Sequence, residues 1–221
     1  MLRIILEVGP KRRVVAGAMD WPGLDRWGAS EAAALEKLAA YVPRYEAVAR
    51  HAGLLEELRA SSELEVVERV PGSSSTDFWG IAHVPSSIER EPLSDEAFER
   101  RLAILQACWT TFDEVAAAAD PALLPSSSRS EGRDRDTIVR HVYGSEPQQL
   151  SRKVEVRTPL EDVRTPEGRA AHRQAYLAAL RAYHAAGKPA RTWPLAFLIR
   201  RTAHHLMDHA WEIEDRDPTG D

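Results

Sequence analysis

Apolar positions in the N-terminal third of the chain follow the spacing of β-strands. Residues 2–8 and 12–19 are rich in branched apolar side chains and flank a Gly-Pro turn, so they predict two strands. The turn-rich segment DWPGLDRWG leaves room for a short third strand. Residues 63–70 alternate between apolar and polar side chains, which predicts one further strand.

A helix is predicted between the third and the last of these strands. Ser30 is a favourable N-cap, Glu31 suits the first turn, and Pro43 bends or ends the helix. Together these elements predict a small β-β-(β)-α-β domain over residues 1–70. Residues 71–93 are a long connection, either a linker or a functional loop, and its apolar stretch FWGIAHV predicts packing on the bundle.

Beyond Ser94 the apolar positions recur every three or four residues, which is the period of an α-helix. Four long helices are predicted. The first begins at Ser94, the second begins near residue 134, the third ends at Gly187, and the fourth has Pro194 near its first turn. They predict an antiparallel four-helix bundle over residues 94–221, and the fold class is therefore α+β.

Composition narrows the classes of function. The chain has 221 residues and a formal net charge of −5, which argues against nucleic acid as a partner because phosphate binding needs clustered Lys and Arg. The single cysteine, Cys108, excludes an internal disulfide, and its apolar surroundings predict burial. No apolar run reaches the roughly 18–20 residues of a membrane helix. With no signal-peptide pattern at the start, we expect a cytoplasmic protein without membrane association.

Three of the eight histidines lie within six positions of the predicted fourth helix. Taking Leu195 as the centre of the apolar face and about 100° per residue, His209 falls at about −40° and His205 at about −80°. Both are predicted to point into the bundle. His204 falls at about 180° and is predicted to lie at the surface or against another domain.

The same helical wheel gives directions for other large side chains of the fourth helix. Arg200 and Arg201 face outwards and are interpreted as charged surface. Trp211 and Phe197 also lie on the outer face, where we expect them to meet the N-terminal domain or another subunit.

A third histidine completes a candidate metal site. His141 flanks the apolar face of the second helix and is predicted to share the bundle interior with His205 and His209. Three neutral imidazoles that leave coordination positions open are typical of a catalytic rather than a closed structural metal site. The alternative is that these residues are hydrogen-bonded core histidines without an ion.

The segments IVRHVYGSE and HHLMDHAWE, which carry these histidines, resemble the DinB/YfiT-like family of metal-binding bundle proteins over residues 94–216. The resemblance implies a four-helix bundle with His141 as the lone ligand of the second helix and His205 and His209 as the pair on the fourth. It implies a divalent metal, often zinc or nickel. Some members are thiol-dependent transferases or isomerases that use low-molecular-weight thiols such as mycothiol or bacillithiol.

Two acidic residues bear on that resemblance. Glu146, five residues after His141, matches an acidic residue that the family often has there, whereas Glu212 stands where members often have Gln. Glu212 falls at about −100° on the wheel, beside His205. Our hypothesis is that it orients a ligand imidazole or acts as a base; the alternative is a solvated glutamate near the helix end.

The N-terminal stretch AMDWPGLDRWGASEAAALEKL resembles the HicB antitoxin family over roughly residues 1–55. Such domains are β-β-β-α-β sandwiches that bind a toxin RNase. Here a predicted metal-site bundle follows in place of the usual DNA-binding domain, so packing, dimerisation and substrate cover are alternative roles. The loop at residues 77–84 is expected to cover the mouth of the bundle with Phe78 and Trp79, and His83 is a weaker ligand candidate.

The functional expectation is a metal-dependent transferase, isomerase or hydrolase that acts on a small-molecule substrate. The inward histidines favour this class. One alternative is a non-catalytic interaction or regulatory protein that binds a protein partner through the HicB-like domain, and another is a metal-binding stress protein without turnover. The outer aromatic face of the fourth helix would suit a homodimer.

Overall fold

A computed structural model of the chain describes residues 1–11, 13–61, 63–123 and 134–219. Within these ranges a four-stranded sheet comes first and is followed mostly by helices. The predicted α+β class is therefore confirmed. No helix among these residues is both long and apolar enough to cross a membrane.

The sheet contains every strand that the sequence predicted, including the short third one. β1 pairs antiparallel with β2, β2 pairs antiparallel with β3, and β1 pairs in parallel with β4, which gives the order β3-β2-β1-β4. The strand bounds are Leu2–Val8 for β1, Val14–Ala18 for β2, Asp25–Gly28 for β3 and Leu64–Pro71 for β4.

Three helices connect β3 to β4, and the first of them packs on β2 and β3. The hydroxyl of Ser30 caps the first helix by accepting a hydrogen bond from the backbone N–H of Ala33, at 3.2 Å. The helix ends before Pro43, which opens a short 3-10 turn, so the predicted break is confirmed. The bounds are Glu31–Tyr41 for α1, Glu46–His51 for α2 and Leu55–Arg59 for α3.

The connection after β4 folds into two short helices, α4 (Ser74–Trp79) and α5 (Ser87–Arg90). Buried Glu7 of β1 holds this connection in place, since its carboxylate accepts hydrogen bonds from the hydroxyl of Thr76 and from backbone N–H groups of the loop between the two helices. The connection therefore packs on the sheet, at β1 and β2, as well as on the chain segment that begins the last long helix.

The long helices of the C-terminal part begin where the sequence predicted. Helix α6 packs along α9, and α7 also contacts α9. Helix α7 continues into one π-helical turn, Glu146–Leu150, at Pro147, which lacks the N–H that an α-helix would need there. The bounds are Asp95–Ala118 for α6, Arg135–Ser145 for α7, Pro166–Ala185 for α8 and Leu195–Glu214 for α9.

One hydrophobic core runs through both parts of the chain. It joins side chains of the sheet and α1 to those of α6 and α9, and Cys108 of α6 lies fully buried within it, as predicted. Trp211 of α9 stacks edge-on against Tyr41 of α1, and Phe197 packs on Val15 of β2. The predicted contact of these two aromatic residues with the N-terminal part is confirmed.

A buried ion network joins the sheet to α9 and corrects one prediction. Arg200 was expected at the surface, yet it is only 3% exposed. Its guanidinium lies 2.7 Å from the carboxylate of Asp25 on β3 and 2.7 Å from that of Glu89 on α5. A helical wheel gives the direction of a side chain but not what covers it, and here the sheet and α5 cover the outer side of α9. The missing side chain of Gly17 on β2 leaves room for this contact, because a Cβ there would collide with Asp25 and Arg200.

Candidate metal site

The structure brings together the three histidines that the sequence singled out. One ring nitrogen from each of His141, His205 and His209 lies within 4.8 Å of the other two. His205 and His209 are one turn apart on α9, so both imidazoles project from the same side of that helix. His141 reaches them from α7, which packs against α9. In the described part of the chain, this is the group of side chains suited to holding a metal ion.

The spacing of the imidazoles fits a small divalent ion. The Nε2 atoms of His141 and His205 are 3.2 Å apart. Two imidazole nitrogens bound tetrahedrally to one zinc ion at about 2.0–2.1 Å would be roughly 3.3 Å apart. The ring centroids of the three histidines are 4.8 to 5.1 Å apart, with the rings turned edge to face. One pair of donors therefore has the spacing that a bound ion requires, and the third donor lies within 4.8 Å of both.

The site is open on one side and closed on the other. His141 is exposed, His205 is partly buried, and His209 is buried. Burial, followed by the positive charges that His209 and His141 would carry, holds the pKa of His205 well below its usual range. His205 is therefore neutral at neutral pH, which is the form that donates a lone pair to a metal.

Glu212 contacts the site through His209. Its Oε2 lies 2.7 Å from Nδ1 of His209, and its Oε1 lies 3.3 Å from Nη1 of Arg216. The wheel placed Glu212 beside His205, but the two residues are seven positions apart, which is roughly 10 Å along a helix. His209, three positions away, is the imidazole that Glu212 reaches. Nδ1 of His209 thus faces a carboxylate, and Nε2 is left for a metal.

Glu146, the acidic residue that matches the family resemblance, has its contacts in the protein core. It is buried at the end of α7, where its carboxylate accepts a hydrogen bond from the indole N–H of Trp109, at 2.6 Å. Nε2 of His172 lies 3.1 Å from the other carboxylate oxygen, in poor alignment for a hydrogen bond. Glu146 therefore joins α6, α7 and α8 in the core, outside the three-histidine cluster.

His204, the third histidine of the cluster on α9, faces the N-terminal part of the chain. It is only 4% exposed, which matches the predicted domain contact rather than the surface alternative. Its Nδ1 lies 3.0 Å from Nη1 of Arg201, and burial lowers its pKa to about 3. Arg201 itself is partly buried, so the prediction of an outward charged surface is wrong for it as well.

The aromatic side chains of α4 do not form the expected cover. Phe78 and Trp79 are 52% and 57% exposed. The loop after them turns inwards instead, and its Ala82 packs with Val15 of β2 and Phe197 at the start of α9. Glu7 fixes this loop from below, so it covers the sheet and the first turn of α9.

An open cleft of about 830 Å³ adjoins the exposed side of His141. Tyr143 and Asp113 line it, with the tyrosine hydroxyl donating a hydrogen bond to the carboxylate at 3.0 Å. Burial raises the pKa of Tyr143 to about 12, so the phenol remains protonated. Arg140 and Arg169 also line the cleft.

Sequence reasoning missed the residues that hold the sheet against the site-bearing helix. Arg26 of β3 binds Asp208 of α9 at 2.7 Å, and its guanidinium stacks over the rings of Tyr41 and Trp211, each at 4.0 Å. Asp208 immediately precedes His209, so this contact fixes the turn of α9 that carries two of the three histidines. The partners are 182 positions apart in the chain, and no local pattern relates them.

No family model matches the chain, and neither a curated protein nor a solved structure shows detectable similarity to it.

Proposed function

We propose that this protein binds one divalent metal ion, zinc or nickel, through His141, His205 and His209, and uses it to transform a small molecule. The reaction class is a thiol-dependent transfer or isomerisation, or a hydrolysis. The observation that carries the proposal is the convergence of three ring nitrogens within 4.8 Å from two separate helices. We further propose that α6 to α9 form an antiparallel bundle of the DinB/YfiT-like type.

The donor set supports this choice of metal. Neutral imidazoles suit zinc and nickel better than calcium or magnesium, which prefer oxygen ligands. When bound by three imidazoles, such an ion supplies a Lewis acid that can lower the pKa of water or hold a low-molecular-weight thiol as its thiolate.

The residues around the cluster have roles that follow from their contacts. Glu212 holds His209 in the tautomer whose Nε2 is unprotonated, because its carboxylate accepts a hydrogen bond from the N–H at Nδ1. Arg216 fixes the other oxygen of Glu212. The exposure of His141 gives a small molecule access from the cleft beside α7. The proposed role of Glu212 as a base acts through His209, whose Nδ1 its carboxylate contacts.

The N-terminal part is proposed to serve as a support for the site. The contacts from Arg26 to Asp208 and from Arg200 to Asp25 use its sheet to fix α9. This role agrees with the packing alternative for a HicB-like domain. Toxin binding is then not needed to explain why the domain is present.

Metal analysis tests the proposal. Protein purified without a histidine tag would be analysed for its elements as wild type, as His205→Ala and as His51→Ala. His51 is an exposed histidine that is far from the cluster in sequence and pairs with Glu114. It serves as the matched control. We expect about one divalent ion per chain in the wild type and the control, and its loss in His205→Ala. No metal in the wild type after reconstitution with zinc or nickel would refute the proposal.

An activity screen would be carried out only if the wild-type protein binds the metal. The metal-loaded protein would be offered low-molecular-weight thiols together with small electrophiles, and separately amide and ester substrates for hydrolysis. Metal-dependent turnover that is lost in His205→Ala would support an enzyme. Stoichiometric metal without turnover would favour a regulatory protein.

A further inference from the structure

Arg201 occupies a position one helical turn before His205, on the flank of the three-histidine cluster. The two residues are four positions apart on α9, so their side chains project from neighbouring turns of that helix. Nη1 of its guanidinium lies 3.0 Å from Nδ1 of His204. Arg201, His205 and His83 are each partly buried, so solvent reaches part of each side chain.

One edge of the Arg201 guanidinium has an unmet hydrogen-bonding requirement. Its Nε is buried and, among the residues that the structure describes, has no hydrogen-bond partner. The nearby carboxylates do not supply the missing acceptor: Asp208 binds Arg26, and Asp25 binds Arg200 through Oδ1 while its own Oδ2 stays without a partner among the described residues. A buried N–H of a cation without an acceptor is unfavourable unless water or a ligand supplies the missing oxygen.

Other arginines of this chain show what that edge normally binds. Nε and Nη2 of Arg3 hold both carboxylate oxygens of Asp20, at 2.8 and 2.6 Å. Nε and Nη2 of Arg200 hold Glu89 in the same way, at 2.7 and 3.3 Å. In each case the planar fork of the guanidinium matches the two oxygens of a carboxylate. The same edge of Arg201 has no such partner among the described residues.

His83 contributes a second donor at this place. It lies in the loop between α4 and α5, its Nε2 is buried without a partner among the described residues, and the charge of Arg201 acts on it. Burial, with help from Arg201, lowers the pKa of His83 to about 4, so the ring is neutral at neutral pH. A neutral imidazole protonated at Nε2 donates one hydrogen bond there without adding a charge.

We propose that Arg201 and His83 bind a carboxylate group of the small-molecule substrate beside the three-histidine cluster. The substrate class is therefore a small organic acid, held by its carboxylate on the α9 side while its reacting part faces the histidines. This inference rests on the proposed function for its catalytic meaning, but the carboxylate site itself can be tested without any metal.

The test is a titration of the metal-free, full-length protein with succinate by isothermal calorimetry. Arg201→Gln removes the charge and keeps an amide that can still donate to His204. Arg50→Gln removes the same charge from an exposed position on α2 and is the matched control. We expect Arg201→Gln to weaken succinate binding at least tenfold and the control to leave it unchanged. The neutral analogue succinamide should not bind to the wild type.

Several outcomes would overturn the inference. They are the absence of succinate binding in the wild type, equal binding by Arg201→Gln, and inorganic phosphate binding as tightly as succinate. If Arg201→Gln does not fold, Arg201→Lys keeps the charge but not the planar fork, and an undiminished affinity in that variant also overturns the proposal. If ordered water alone satisfies the two donors, the titration will show no heat of succinate binding.

The metal content of the same variants separates this inference from the proposed function. Arg201→Gln should keep the wild-type content of zinc or nickel, because Arg201 is not a ligand. Full metal content with unchanged succinate affinity would refute the carboxylate site and leave the metal site standing. Succinate binding that depends on Arg201 in a protein that takes up no metal would do the reverse.

Discussion

The carboxylate of Glu212 lies 2.7 Å from Nδ1 of His209, one turn away on the same helix. This contact decides which nitrogen of His209 faces the other two histidines. A carboxylate beside Nδ1 favours the tautomer in which Nδ1 carries the proton, and it also makes Nε2 a stronger donor towards a metal. A substitution of Glu212 should therefore alter metal affinity, even though its carboxylate does not contact the ligand nitrogens.

We expect Glu212→Gln to weaken zinc binding by about tenfold, because the amide can accept the hydrogen bond of Nδ1 but has lost the negative charge. Glu212→Ala should weaken it further. The measurement is a competition titration against a chromogenic chelator. Glu214→Gln, which removes a charge from the exposed end of the same helix, is the control. Unchanged zinc affinity in both Glu212 variants would show that the carboxylate is only a helix-end salt bridge.

Metal binding should stabilise the fold, since the three histidines join α7 to α9. At a free zinc concentration of 100 times Kd the linkage is worth about 2.7 kcal/mol. For a chain of this size that corresponds to a rise in Tm of roughly 5–11 °C. A thermal scan of wild type with and without zinc measures it. His209→Ala should show no rise, whereas His184→Ala, which alters a histidine stacked on Phe98 at 4.0 Å, should behave as the wild type does.

The buried ion network makes Arg200 the arginine whose loss should cost most. Arg200→Met leaves the carboxylates of Asp25 and Glu89 buried without their cation, and we expect the free energy of unfolding to fall by about 3–5 kcal/mol. Arg181→Met removes an exposed arginine that pairs with Glu99, and should cost about 1 kcal/mol or less. Denaturant titrations of both variants measure the difference. Equal losses in the two would mean that the network at Arg200 contributes no more than a surface pair.

The features that sequence could predict are those fixed by local periodicity. His205 and His209 share a helical face because four residues make about one turn, and a hydrophobic pattern determines which face that is. The break at Pro43 and the caps at Ser30 and Ser94 are likewise decided by a few neighbouring residues.

Features that depend on what covers a surface could not be predicted. The outward direction of Arg200 was right for a bare helix and wrong for this molecule, because the sheet, 175 positions away in the chain at Asp25, packs on that side. Glu212 was assigned by angle alone, while its position along the helix axis decides that it reaches His209. The contact between Asp208 and Arg26 could not be predicted for the same reason, because pairs that are distant in sequence leave no periodic signal.

His83 should make the stability of the protein depend on pH. Its pKa is about 4 in the folded chain, chiefly because of burial, and 6.5 is the ordinary value. Above pH 6.5 the ring is neutral in both states and contributes nothing to the dependence. As pH falls from 6.5 towards 4, the unfolded chain takes up the proton first, so stability is lost over that window.

His83→Gln removes this proton uptake and should flatten the pH dependence. Because His83 is only partly buried, we expect the difference between wild type and variant to change by about 1–2 kcal/mol between pH 7 and pH 4. Denaturant titrations of metal-free protein at several pH values measure it. His51→Gln, at an exposed histidine, is the control and should keep the slope of the wild type. Parallel curves for wild type and His83→Gln would show that the ring of His83 is solvated in the folded state.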